Sequence, residues 1–173
     1  MPRWLQKIFG KSRSEFSVPT DTSHGGVYSA LREQALSADR VAAGIPEPPP
    51  DAPVWGVLME TSFPEGTSTL FALSDGTTSL YLSHGGGVIG GGDHENVRLA
   101  NADFIRTANQ FCRQLMPCES FPVPRVGRTV FYSRTDSGVL TAEALEDDLG
   151  YERHPLSPLF HAGHAVITQL YRI

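Results

Sequence analysis

Between Val54 and Leu115 the chain sets short β-rich runs against tight-turn residues so closely that few architectures accommodate it. Val54 to Ser62 (VWGVLMETS) is apolar at nearly every position, as expected of a strand covered on both faces, and Phe63-Pro64-Glu65-Gly66 ends it with turn formers. Ser68 to Ser74 then places Leu70, Ala72 and Ser74 on one side of a pleat and Thr69, Phe71 and Leu73 on the other. Asp75-Gly76 follows at once. An Asp-Gly pair between two β-rich runs is a strong hairpin signal, because both central positions of the favoured turn need φ > 0. Thr78 to Ser83 is the returning strand, which completes a three-stranded antiparallel meander.

The meander leads into a glycine run from Gly85 to Gly92, broken only by Val88 and Ile89. Asp93 is placed to cap a helix on which Val97, Ala100, Phe104, Ala108, Phe111 and Leu115 recur down one face, and Pro117 marks its stop. A loop feeding a helix N-terminus is where a ligand site is sought first.

A chain of 173 residues with a 40% apolar fraction can bury one proper core. Its formal charge of -5 argues against a nucleic-acid partner, which calls for a basic face. The charge is uneven. Residues 1–13 carry Arg3, Lys7, Lys11 and Arg13 and no acid, and both lysines of the chain lie there. In the same segment Trp4, Leu5, Ile8 and Phe9 share one side of a helical turn. A basic amphipathic segment of this kind packs on its own domain, docks in a partner's groove, or makes weak contact with a membrane surface. It lacks the apolar core and cleavage site of a signal peptide, and no stretch is long enough to span a bilayer, so a cytoplasmic protein is expected.

Residues 14–52 read as connection: a Ser/Thr/Pro-rich linker, a helix from Val27 to Ala43 with a stripe of Val27, Leu31, Ala35, Ala38 and Val41 or Ala42, and a stiff spacer with prolines at 46, 48, 49 and 50. Residues 53–173 read as the main domain. Beyond the central helix an irregular proline-rich connection precedes two strands, Arg128 to Arg134 and Val139 to Ala144, joined by a Thr-Asp-Ser-Gly turn. The acidic cluster of Glu143, Glu146, Asp147, Asp148 and Glu152 lacks EF-hand spacing and reads as a solvated face. A last helix is expected with Ser157 as its N-cap and Pro158 at the first helical position.

The expected fold is therefore α+β: a five-stranded, mostly antiparallel sheet in the order three-strand meander, helix, two-strand hairpin, helix, with an added N-terminal helix. That layout is similar to the profilin, longin and roadblock group of folds, in which an antiparallel sheet carries helices on its faces. The resemblance is one of layout over roughly residues 53–173, and fold does not fix function.

Chemistry-bearing clusters are few. Gly85, Gly87 and Gly90 satisfy G-x-G-x-x-G, but the expected helix begins beyond the motif, no acid follows at the ribose-binding distance, and Asp93 and Glu95 would repel a phosphate at that helix start. His84-Gly85-Gly86-Gly87 looks like a lipase oxyanion loop, yet the chain has no G-x-S-x-G nucleophile elbow. His84, Asp93, His94 and Glu95 are competent metal ligands at a spacing that matches no known site. His161 and His164 share a helix face on the side away from the apolar stripe. Cys112 and Cys118 fit no zinc or redox motif and read as reduced thiols.

Two functional readings follow. The first is a non-catalytic protein-interaction or regulatory module with no cofactor, its partner protein unspecified by the sequence, acting through a sheet edge, the acidic stretch from Glu143 to Glu152 and the segment around Trp4, Leu5, Ile8 and Phe9; pairing of two copies at the sheet edge belongs to it. The second is a small-ligand or metal-binding enzyme built on the loop of His84, Gly85, Gly86, Gly87, Asp93, His94 and Glu95. It requires those polar side chains to converge on a pocket.

Overall fold

The computed structural model describes residues 24–173. Residues 1–13, with the expected amphipathic segment, lie outside the described part. The elements in chain order are α1 (His24–Ser37), β1 (Gly56–Phe63), β2 (Gly66–Leu73), β3 (Thr78–Leu82), β4 (Gly87–Val88), α2 (Glu95–Phe111), β5 (Met116–Cys118), β6 (Arg128–Thr135), β7 (Gly138–Leu145), α3 (Glu146–Gly150) and α4 (Ser157–Leu170). The protein is α+β, with one fully antiparallel sheet in the order β4-β3-β2-β1-β6-β7-β5.

The sheet has seven strands, where the sequence suggested five. The expected meander and hairpin are present and meet at its centre, where β1 pairs with β2 on one side and β6 on the other. The two additional strands are short edges. Gly87–Val88 pairs with Leu80 and Tyr81, so part of the glycine run is strand rather than loop. Met116–Cys118 pairs with β7 inside what read as an irregular connection. Two or three residues rich in Gly and Pro carry no period-2 pattern, so neither announces itself in the sequence.

β1 is buried from Gly56 through Ser62, because both faces of the sheet are covered. On one face Val57, Met59, Leu70, Leu80 and Phe131 meet α2 and α4 through Phe104, Leu159 and Val166. Close approach of α4 depends on Gly163: a Cβ there would lie 2.6 Å from Met59 Sδ and 3.2 Å from a Phe104 ring carbon. On the other face Trp55, Leu58, Phe71, Tyr81, Val130 and Tyr132 lie beneath α1, which buries Tyr28 and Ala35. Its buried stripe is Tyr28, Leu31, Arg32 and Ala35, rotated from the expected one, and the helix ends at Ser37 rather than Ala43. The rotation follows from Arg32, a charged residue that reaches inward to Glu60. Past α1, the Arg134 guanidinium donates to the Leu36 and Ala38 carbonyls while lying 5.0 Å from the Trp55 ring centre.

Side-chain amides complete the backbone bonding. Asn109 on α2 accepts from Val54 N–H at 2.8 Å and donates to Val54 C=O at 3.1 Å, standing in for a strand neighbour just before β1 begins. Asn101 Nδ2 donates to the Leu73 and Thr77 carbonyls and to Thr78 Oγ1, tying α2 to the β2–β3 turn. The expected helix caps differ. His94 rather than Asp93 occupies the α2 N-cap, with no side-chain cap bond, and Leu156 precedes α4, whose first residue Ser157 is buried.

Asn109→Ala leaves the Val54 N–H and C=O without these partners at a largely buried site. The expected loss is about 1–3 kcal/mol of unfolding free energy in urea titration, with the midpoint lowered and the denaturant slope unchanged.

Candidate functional site

The least ordinary residue of the core is Glu60, fully buried in the middle of the central strand on the α1 face. A lone carboxylate there would be prohibitively costly, so its partners define the site. Arg32 Nε and Nη2 each donate to a Glu60 oxygen at 2.7 Å, a bidentate pair, and Thr69 Oγ1 donates to Oε1 at 2.8 Å. Tyr28 Oη lies 2.8 Å from Thr69 Oγ1. Arg32 Nη2 also donates to the Phe121 carbonyl at 2.8 Å, and Tyr132 Oη donates to the Pro122 carbonyl at 2.7 Å. One network thus joins α1, β1, β2, β6 and the strap of residues 119–127.

Electrostatics follow from this burial. Desolvation works against the Arg32 charge, but the Glu60 carboxylate outweighs it and holds the guanidinium above its ordinary pKa. Burial first, and then Glu60, push the Tyr132 hydroxyl up to about 12. Burial likewise raises Tyr28. None of these groups is tuned to exchange a proton near neutral pH. Beside the network, between α1 and the strap, lies an open groove of about 700 Å³. Leu36, Phe121 and Val123 give it apolar walls, Arg32 and Tyr28 line it, and the exposed Glu33 and Glu119 stand at it from either side.

The glycine run has a different character. His84 follows β3 at the end where β1 turns into β2, its Nδ1 within 3.2 Å of where a Gly66 Cβ would stand. Gly91 and Gly92 press on Thr78 and Gly76 at the opposite end of the same strand. A five-residue strand separates the two, on the order of 15 Å. His84 therefore does not converge with Asp93, His94 and Glu95, and all four side chains are exposed. Among the described residues no group of three His, Cys, Asp or Glu side chains is arranged to hold a metal ion. The glycines have structural causes. At Gly87 φ is +138° and a Cβ would meet the Leu80 carbonyl oxygen at 2.1 Å; at Gly92 it would meet that of Gly76 at 2.3 Å.

The histidines of α4 separate in environment. His161 is exposed, whereas His164 is partly buried against the Phe160 ring at 4.3 Å, and its Nε2 has no hydrogen-bond partner among the described residues. Burial, and then the charge of His161, depress the His164 pKa below its usual 6.5. Cys112 and Cys118 are free and half-buried.

The far edge of the sheet is only partly closed, which sequence patterning could not show. Pro117 has no N–H, so the short β5–β7 ladder bonds through Met116 opposite Thr141 and Cys118 opposite Val139. The same alternation turns the N–H and C=O groups of Glu143 and the N–H of Leu145 outward, with no hydrogen-bond partner for them among the described residues, while the Leu145 C=O, at the N-cap of α3, takes the first intrahelical bond. Gly127 N–H donates to the Ser62 carbonyl and Glu146 N–H to the Gly127 carbonyl. These bonds gather the exposed apolar side chains of Phe63, Val126 and Leu145 at that corner. The acidic helix α3 starts there.

Comparison with protein-family models, curated proteins and solved structures finds no match to this chain.

Three outcomes test this geometry. Removing one partner of the buried pair by Glu60→Gln is expected to cost about 3–5 kcal/mol, while Glu60→Leu combined with Arg32→Met restores most of it; chemical denaturation of the single and double variants reads the difference. Gly92→Ala is expected to destabilise by about 1–3 kcal/mol, because the clash is with backbone that must move. For His164 a depressed folded-state pKa means that the unfolded chain takes up the proton first. Stability present above about pH 6.5 is therefore lost as pH falls through the lower folded value, and His164→Phe should flatten that limb of a pH series of thermal midpoints.

Proposed function

We propose that this protein is a non-catalytic interaction or regulatory module that docks an extended segment of a partner protein along the open half of β7. The carrying observation is the outward-facing main chain of Glu143 and the outward N–H of Leu145, without hydrogen-bond partners among the described residues, beside the exposed Phe63, Val126 and Leu145 side chains. An unpaired strand edge offers main-chain hydrogen bonds to an added strand, and apolar side chains next to it supply selectivity. The opposite edge is poorer, since β4 offers only Gly87 and Val88. Asp147 and half-buried Glu146, at the end of the open edge, favour partner segments with basic residues. A layout similar to the profilin, longin and roadblock folds agrees with an adaptor role by analogy alone.

The enzyme alternative draws no support from geometry. His84 stands at the other end of β3 from Asp93, His94 and Glu95, and the buried Glu60 is fully engaged by Arg32 and Thr69. Among the described residues no helix is long and apolar enough to cross a membrane.

Selection of a displayed random-peptide library on the purified protein tests the proposal. The expected result is a linear motif with alternating apolar and basic positions, whose binding falls at least about tenfold in a Val126→Asp, Leu145→Lys variant of unchanged thermal midpoint. Motifs that bind the variant equally well contradict it. Sedimentation across a concentration series distinguishes pairing of two copies at the same edge.

A further inference from the structure

We infer that the groove between α1 and the strap is the docking site of the chain's own N-terminal segment, residues 1–13, held there in cis. Three observations carry this. The groove walls are apolar, through Leu36, Phe121 and Val123, and the exposed acids Glu33 on α1 and Glu119 on the strap stand at its sides. The segment has the complementary chemistry: Trp4, Leu5, Ile8 and Phe9 recur at helical spacing, and Arg3, Lys7 and Lys11 recur at every fourth position beside them. An apolar stripe bordered by cations fits an apolar groove bordered by carboxylates, and the contact closes over Arg32 without displacing it from Glu60.

Chain connectivity favours this occupant over one from solution. The groove is lined by α1 from Tyr28 to Ser37, and α1 begins at His24. Ten residues, 14 to 23, join the segment to the helix and can extend to roughly 33–36 Å. The whole 14-residue helix is roughly 21 Å long. The segment can therefore fold back beside α1 at a high effective concentration that no free peptide matches. Docked, it would cover the Tyr28 and Arg32 side of the Glu60 network, which lines the groove.

The sequence supplies an unusually selective test. Lys7 and Lys11 are the only lysines of the chain, so a lysine-specific protease reports on this segment alone. The native full-length protein should be cut about tenfold more slowly than a synthetic peptide of residues 1–23, since cleavage follows the undocked population. A Glu33→Arg, Glu119→Arg variant changes only exposed residues and adds no cleavage site. With its thermal midpoint unchanged, it should lose most of that protection, as should the native protein in high salt. Cleavage of the native chain at the peptide's rate overturns the inference, and so does protection that survives in the variant. Protection that grows with protein concentration also overturns it, by showing that the segment docks on a second copy.

Discussion

A carboxylate buried in the central strand needs a cation brought to it, and much of this structure is arranged to deliver one. Glu60 has no exposed surface, and the bidentate contact with Arg32 is the main compensation for its charge. Arg32 must therefore arrive on a helix lying flat on the sheet, with its stem among Tyr28, Leu31 and Ala35. The strap must come close enough for the Phe121 carbonyl to take the remaining bond from Nη2. Buried pairs of this type contribute little net stability over an apolar pair of equal volume, but they penalise every arrangement in which one member is missing. Here the penalty selects one position and rotation for α1 on a surface where Leu58, Phe71 and Tyr132 alone would accept several.

The consequence is a three-layer molecule in which both sheet faces are core, yet the two covers differ. α2 and α4 lie on an apolar face and approach closely at Gly163, while α1 and the strap cover a face whose buried surface includes Glu60, Thr69, Ser62 and Thr67. Polar cover leaves a groove, and the Arg134 and Arg40 contacts hold the segment after α1 against the β6–β7 turn. The groove and the partly open β7 edge both lie away from the glycine run that first attracts attention in the sequence.

Much of the framework was legible. The uninterrupted burial of β1 shows in its lack of alternation, and the Asp75-Gly76 turn shows in composition alone. The assignments that shifted did so for physical reasons. The buried stripe of α1 lies a fraction of a turn from the one that apolar periodicity predicts, because an arginine occupies its inward face. The edge strands leave no signal in the sequence because two or three residues of Gly, Val, Met, Pro and Cys have no periodicity. The glycine run looked like a ligand loop because a sequence does not distinguish glycine needed for φ > 0 beside a phosphate from glycine needed for close approach to a neighbouring strand. Glu60 was within the buried run from the outset, but its importance depends on Arg32, 28 residues earlier, a pairing that only the fold reveals.

α1 is an integral layer of the fold, fixed by Glu60, rather than an appendage on a proline spacer. Native-state hydrogen exchange resolved to individual amides tests it most directly. If the pair fixes the helix, the amides from Arg32 to Leu36 exchange only with opening free energies approaching that of β1, and a Glu60→Gln substitution lowers their protection far more than that of α2. Exchange of those α1 amides at rates near those of a free peptide, while β1 stays protected, would contradict the account.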